Sequence, residues 1–181
     1  MLVKIFIEYL KYELTKNIFK HILTISKMII YFLEDGDYVL LDYLVKNYEK
    51  GEPIFLADIS IEGMSEENIR YHLKKLTDAG VICRFEAGIY YLPKKNIFGE
   101  NSVISAETVA THKYILRQGK RVGFYSGYTL ANRLGLSTQM PFKEEIISNY
   151  APALVREVSI KNRKYVIRKP VVEVTEENAY V

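Results

Sequence analysis

Between Ser65 and Pro93 a capped amphipathic helix runs straight into a β-hairpin, and few small folds accommodate that junction. Ser65 has the side chain of an N-cap, and Glu66 and Glu67 place negative charge in the first turn. Ile69, Leu73 and Leu76 fall on one helical face, and Gly80 supplies the stop. Val81-Ile82-Cys83-Arg84-Phe85 then alternates, Glu86-Ala87-Gly88 can turn, and Ile89-Tyr90-Tyr91-Leu92 alternates again before Pro93.

Upstream, Tyr38, Leu41, Tyr43, Leu44 and Val45 predict a helix from Asp37 to Lys46, with Asp37 as its cap after Glu34-Asp35-Gly36 and an end by Gly51. Pro53 to Leu56 reads as extended, and Ala57 to Ile59 as the start of a brief second helix before Gly63. Helix, short helix, longer helix and hairpin form the order of a winged helix-turn-helix, whose third helix enters the major groove. Opposite the apolar stripe of that helix stand Asn68, Tyr71, Lys74 and Lys75, with Arg70 at the edge and Arg84 on the wing. Asn can pair with an adenine edge, and Lys can reach guanine or a phosphate. Glu66, Glu67 and Asp78 offset Arg70, Lys74 and Lys75, so the helix as a whole is neutral.

Charge is divided unevenly along the 181 residues. The net charge is only +3, yet residues 111–169 hold twelve Lys and Arg against three acids, a net +9. Such a block attracts polyanions and gains from counterion release. After Pro93-Lys94-Lys95, read as a linker, the sequence predicts helices over Ala106 to Arg117 and Ser126 to Leu134, a strand over Glu144 to Ser148, and a hairpin of Val155 to Ile160 with Lys164 to Arg168. Lys113, Arg117, Lys120, Arg121 and Arg133 come from the helical part. Arg156, Lys161, Arg163, Lys164, Arg168 and Lys169 come from the hairpin. If they share a face, they make one basic surface. Tyr125, Tyr128 and Tyr150 stand among them as candidates for base stacking or for core positions.

The expected class is α+β: an N-terminal helical extension (1–36), a winged helix-turn-helix domain (37–97) and a small mixed α/β C-terminal domain (98–181). In the extension, Ile5, Tyr9, Tyr12, Lys16 and Phe19, and then Ile18, Ile22, Ile25 and Ile29, recur at helical spacing. They suit packing or homodimer formation. Attachment to a membrane surface and a start of translation at Met28 remain open alternatives. Lysines and glutamates interrupt every window of that segment, which argues against a spanning helix or a signal peptide. A single cysteine, Cys83, forms no internal disulfide and reads as a small buried hydrophobe, which suits the cytoplasm.

Several classes are disfavoured by what is missing. His21, His72 and His112 fall in separate predicted helices, where structural or exposed roles are expected, and no phosphate-loop, dinucleotide, zinc or hydrolase motif occurs. Glu144 and Glu145 lack the company a nuclease metal site needs. The expectation is a protein that is not an enzyme and needs no cofactor or metal.

The segments Gly80-Val81-Ile82-Cys83-Arg84, Gly88-Ile89-Tyr90-Tyr91-Leu92-Pro93 and Tyr125-Ser126-Gly127-Tyr128-Thr129-Leu130-Ala131-Asn132-Arg133-Leu134-Gly135-Leu136-Ser137-Thr138-Gln139 together resemble the AbiEi family of bacterial antitoxins, from about Tyr38 to Pro170. The first two are shared by many winged helices, and the third is the more specific. The resemblance implies a repressor that binds duplex DNA at its own promoter. Its C-terminal domain counteracts a nucleotidyltransferase-like toxin of a type IV toxin-antitoxin, abortive-infection system without a stable complex. The rival reading is a winged-helix adaptor for protein contacts that binds no DNA.

Overall fold

The computed structural model describes residues 35–97 and 99–179. The expectations for the N-terminal amphipathic helices and for His21 lie outside the described residues. The described chain is α+β, with four α-helices and several small sheets. It divides into two compact units that interleave along the sequence: residues 35–48 with 60–82, and residues 49–59 with 83–179.

The first unit is a helix pair, α1 (Asp35–Asn47) and α2 (Glu66–Asp78). Leu40 and Leu44 on α1 and Leu73 and Leu76 on α2 are fully buried, with Ile69 nearly so, as the i, i+3, i+4 spacing requires. The Ser65 hydroxyl accepts the Asn68 N–H at 3.3 Å and caps α2. At the other end the Gly80 N–H donates to Thr77 O and the Val81 N–H to Leu76 O, with Gly80 at φ +71°, the left-handed position such an ending needs.

Asp37 departs from the expected cap. It lies within helical backbone and is fully buried, with its carboxylate 2.7 Å from His72 Nδ1 and 3.0 Å from Lys75 Nζ. A cap oxygen satisfies a backbone amide of its own helix, whereas this one is engaged by side chains of the next helix.

The second unit is built on sheets. β1 (Pro53–Phe55), β2 (Cys83–Glu86) and β3 (Ile89–Tyr91) form an antiparallel sheet in the order β1-β3-β2. The brief second helix is a single 3-10 turn, Leu56–Asp58. Lys94 and Lys95, read as linker, form a short strand β4 paired with β5 (Asn101–Ser102). Helix α3 (Ala106–Tyr114) is shorter than expected, because the chain leaves it for a tight hairpin of β6 (Leu116–Arg117) and β7 (Lys120–Arg121). Gln118 and Gly119 both have positive φ there, the conformation of a two-residue hairpin turn.

β8 (Gly123–Tyr125), α4 (Gly127–Arg133), β9 (Glu144–Ser148), β10 (Val155–Ile160) and β11 (Arg163–Arg168) complete the unit. Their four-stranded sheet runs β10-β11-β9-β8, with β9 parallel to β11 and the other pairs antiparallel. The expected hairpin is present, turning at Lys161 and Asn162. One core joins both sheets to α3: Phe85, Ile89 and Tyr91 pack with Val109, Tyr114, Tyr125, Ile146, Tyr165 and Ile167. Gly123 allows this closeness, since a Cβ there would lie 2.2 Å from the Tyr114 carbonyl oxygen and 2.4 Å from that of Ile147. Cys83 is half-buried against the same core, not fully enclosed.

Candidate nucleic-acid interface

The outward face of α2 presents Asn68, Arg70, Tyr71 and Lys74 to solvent. Their chemistry is not equivalent. Arg70 donates to Glu66 one turn back, so its charge is partly spent. Tyr71 is half exposed and meets the His72 ring edge-on, with centroids 5.1 Å apart. Lys74 is exposed and has no ion-pair partner among the described residues. Lys75 turns inward to Asp37, passing 5.5 Å from the Tyr71 ring centre, and only a quarter of its side chain is exposed. The side chains of this face that stay exposed and outside any ion pair among the described residues are therefore Asn68, Tyr71 and Lys74. Arg84 is exposed on β2, and its Nε donates to the Glu86 carbonyl at 3.3 Å.

The basic block resolves into two populations. Arg117 bonds Asp58, Arg121 bonds Glu176, Arg133 and Arg163 bond both Glu107 and Glu144, and Arg168 lies 3.8 Å from Glu145. Lys143, in the loop before β9, bonds Glu157. Lys113, Lys120, Arg156, Lys161, Lys164 and Lys169 are exposed and form no direct ion pair with a carboxylate among the described residues, although the charge of Lys164 acts on Glu157. Lys161 and Lys164 instead lie over the Phe85 and Phe142 rings, at 4.2 and 5.4 Å. The lysines, more than the arginines, carry the block's open charge.

The Tyr125 to Gln139 stretch has a clear local task, which is to lock α4 onto β9. The Ser126 N–H donates to the Glu145 carbonyl, and the Thr129 hydroxyl accepts the Glu145 N–H, both at 2.9 Å. The Asn132 amide donates to the carbonyls of Ser137 and Gln139 and folds the following loop back. Arg133 stacks 3.7 Å from the centre of the Tyr125 ring while donating to Glu107 and Glu144. Burial lowers the affinity of its guanidinium for a proton and is the largest single influence, but the bonds to Glu107 and Glu144 and the charges of Tyr125 and Glu107 together outweigh it, and the net shift is upward.

Tyr125 is buried in the core, its hydroxyl 3.1 Å from Thr111 Oγ1, and burial pushes its pKa up. Tyr128 and Tyr150 are exposed, so only these two of the three tyrosines are open to a ring partner. Beneath the Arg–Glu cluster the Tyr165 hydroxyl is buried with no hydrogen bond of normal geometry among the described residues, and Arg163 is its charged neighbour. Desolvation, followed by the charge of Glu144, pushes its pKa up to about 12.

His72 is buried against Asp37, and His112 lies half-buried, 3.6 Å from Glu52. Glu144 is engaged by two guanidiniums, and among the described residues no three His, Cys, Asp or Glu side chains converge as a metal site. Among the described residues no helix is long and apolar enough to cross a membrane.

Residues 41–174 match the model of a family of unknown function, DUF6088, and the chain belongs to that family. The comparison with curated proteins returns no match.

Proposed function

We propose that the protein is a transcriptional repressor that binds duplex DNA at its own promoter through a winged helix-turn-helix over residues 37–97. The observation that carries this reading is the run α1, β1, 3-10 turn, α2, β2, β3 with the sheet order β1-β3-β2. Phe55 pairs with Ile89 and Pro53 with Tyr91, so the second strand of the hairpin joins the short strand that follows α1, which supports this reading. The exposed Asn68, Tyr71 and Lys74 of α2 are the base-reading set, and Arg84 is a phosphate contact on the wing.

The resemblance of Tyr125 to Gln139 to AbiEi antitoxins extends the proposal. The C-terminal residues then counteract a nucleotidyltransferase-like toxin without forming a stable complex, in the cytoplasm, and the regulator works as a homodimer with no enzymatic activity and no cofactor. The exposed apolar side chains Leu134, Leu136, Met140 and Phe142 favour a second reading, an adaptor for protein contacts.

Titration of a labelled duplex carrying the protein's own promoter, against a scrambled duplex of equal length, separates the two. Repression predicts salt-sensitive binding with a clear preference for the promoter. No preference, with binding to neither duplex, would leave the adaptor. Co-expression with a nucleotidyltransferase-like toxin encoded beside the gene tests the antitoxin half, with growth rescue expected.

A further inference from the structure

A concave site in the second unit collects cations that lie far apart in the sequence. Lys113 and Tyr114 at the end of α3, Arg117 on β6, Tyr150 after β9, and Arg156 and Val158 on β10 line a cavity of about 330 Å³. That volume is at the lower end of the roughly 300 to 1,000 Å³ typical of small-molecule sites.

Its charge is unbalanced. Asp58 holds Arg117, while Lys113 and Arg156 have no carboxylate partner among the described residues. Two cations left open at one mouth suit a dianion, and a phosphate monoester is the common biological one. The walls add a second requirement. The Arg117 guanidinium sits 4.4 Å from the centre of the Tyr150 ring, while about half of Tyr150 stays open to solvent. The floor is the buried Tyr114 with Val158. The exposed half of the Tyr150 ring is a surface on which another flat ring stacks.

We propose that this cavity binds a nucleotide, its phosphate between Lys113 and Arg156 and its base against Tyr150. The nucleotide is either free or the phosphorylated end of a single strand. The assignment is independent of duplex recognition by α2, because none of the cavity residues belongs to that helix.

Calorimetric titration of the full chain tests it, using adenosine and guanosine monophosphates, the parent nucleosides, inorganic phosphate, and a short single strand with or without a 5′-phosphate. Saturable binding is expected, at least about tenfold tighter for nucleotide than for nucleoside. The Lys113→Ala/Arg156→Ala double variant removes two solvent-exposed side chains and should bind the nucleotide at least about tenfold more weakly. Tyr150→Leu should weaken nucleotide but leave inorganic phosphate unchanged. Pocket-dependent binding of the mononucleotide supports a free ligand, and pocket-dependent binding of the phosphorylated strand alone supports a strand end. The proposal is overturned if no probe saturates, if nucleoside binds as tightly as nucleotide, or if the double variant binds like the wild type.

Discussion

Asp37 on α1 and His72 on α2 are joined at 2.7 Å, with the carboxylate fully buried and its second oxygen taken by Lys75 at 3.0 Å. A buried carboxylate persists only when partners replace its water. Removing one member of such a cluster strands the others, so Asp37→Ala should cost about 3 to 5 kcal/mol. Asp37→Asn, which keeps an acceptor for His72, should cost less. Urea unfolding followed by circular dichroism measures both, and a loss below about 1 kcal/mol for Asp37→Ala would mean that the pair contributes no more than a surface ion pair.

Gly36 stands beside that pair. In an exposed helix interior, Gly→Ala gains up to about 1 kcal/mol. Here an added Cβ would fall 2.3 Å from His72 Nε2, and the ring cannot swing away without breaking its bond to Asp37. Overpacking of this kind costs about 1 to 3 kcal/mol, so the clash should win and Gly36→Ala should lower the melting temperature. A rise in melting temperature would show that the ring yields.

Lys74 and Lys75 are adjacent in sequence but face different tasks. Lys74 is open to solvent, so Lys74→Ala and Asn68→Ala should each weaken promoter binding by about 1 to 3 kcal/mol per lost base contact, with folding unchanged. Lys75 neutralises Asp37, so Lys75→Ala should lower stability before it changes affinity. Melting curves beside anisotropy titrations distinguish the two, and equal melting temperatures for the two Lys variants would contradict the assignment.

Local signals explain why some of this architecture was legible from the residues alone. Ser65, the Ile69-Leu73-Leu76 stripe and Gly80 fix α2 within a single turn of sequence, and the alternation from Val155 to Arg168 fixes the last hairpin, because each depends only on near neighbours. The β6–β7 hairpin was hidden, since two-residue strands are too short to show a period, although Gln118-Gly119 is a turn signal. Asp37 looked like a cap because a cap is a local role, and its partners lie 35 and 38 positions away.

The +9 block is likewise counted from near neighbours alone. Asp58, Glu107 and Glu176 lie outside it in sequence and fold back onto its arginines. The cavity of Lys113, Arg117, Tyr150 and Arg156 leaves no local trace, because three segments assemble it. A charge count along the chain finds the block but not which members remain open.

Tyr165 gives a pH dependence with a definite sign. Its phenol titrates near 10.0 when unfolded and about 12 when folded, so between those values the unfolded chain has lost a proton that the folded chain keeps. Its contribution is fully present below pH 10 and is lost as pH rises towards 12. Tyr165→Phe should remove that part of the alkaline loss. At neutral pH it should change stability by no more than about 1 kcal/mol, since the buried hydroxyl has no hydrogen bond of normal geometry and only a weak one to Arg163 is lost with it. The difference between wild type and variant in urea unfolding at neutral and alkaline pH isolates this group from the other tyrosines. An unchanged difference between the two conditions would show that Tyr165 is not the source.

The two populations of the basic block predict different outcomes for neighbouring residues of one strand. Lys164 is open, as is Lys169 just beyond the strand, so each that touches a phosphate should contribute about 0.9 to the logarithmic salt slope of polyanion binding, and Lys164→Ala/Lys169→Ala should flatten that slope accordingly. Arg163 is tied to Glu144 and Glu107. Removing it leaves both carboxylates to Arg133 alone, so Arg163→Ala should weaken polyanion binding chiefly through the less fully neutralised acids and reduce stability by up to about 1 kcal/mol, as expected for a partly exposed pair. Binding of the full chain to single- and double-stranded DNA across a salt series reads both effects. If Arg163→Ala changes the slope as much as the double lysine variant does, the paired arginines also meet phosphate and the distinction between the populations fails. If neither variant changes it, the block acts only on solubility.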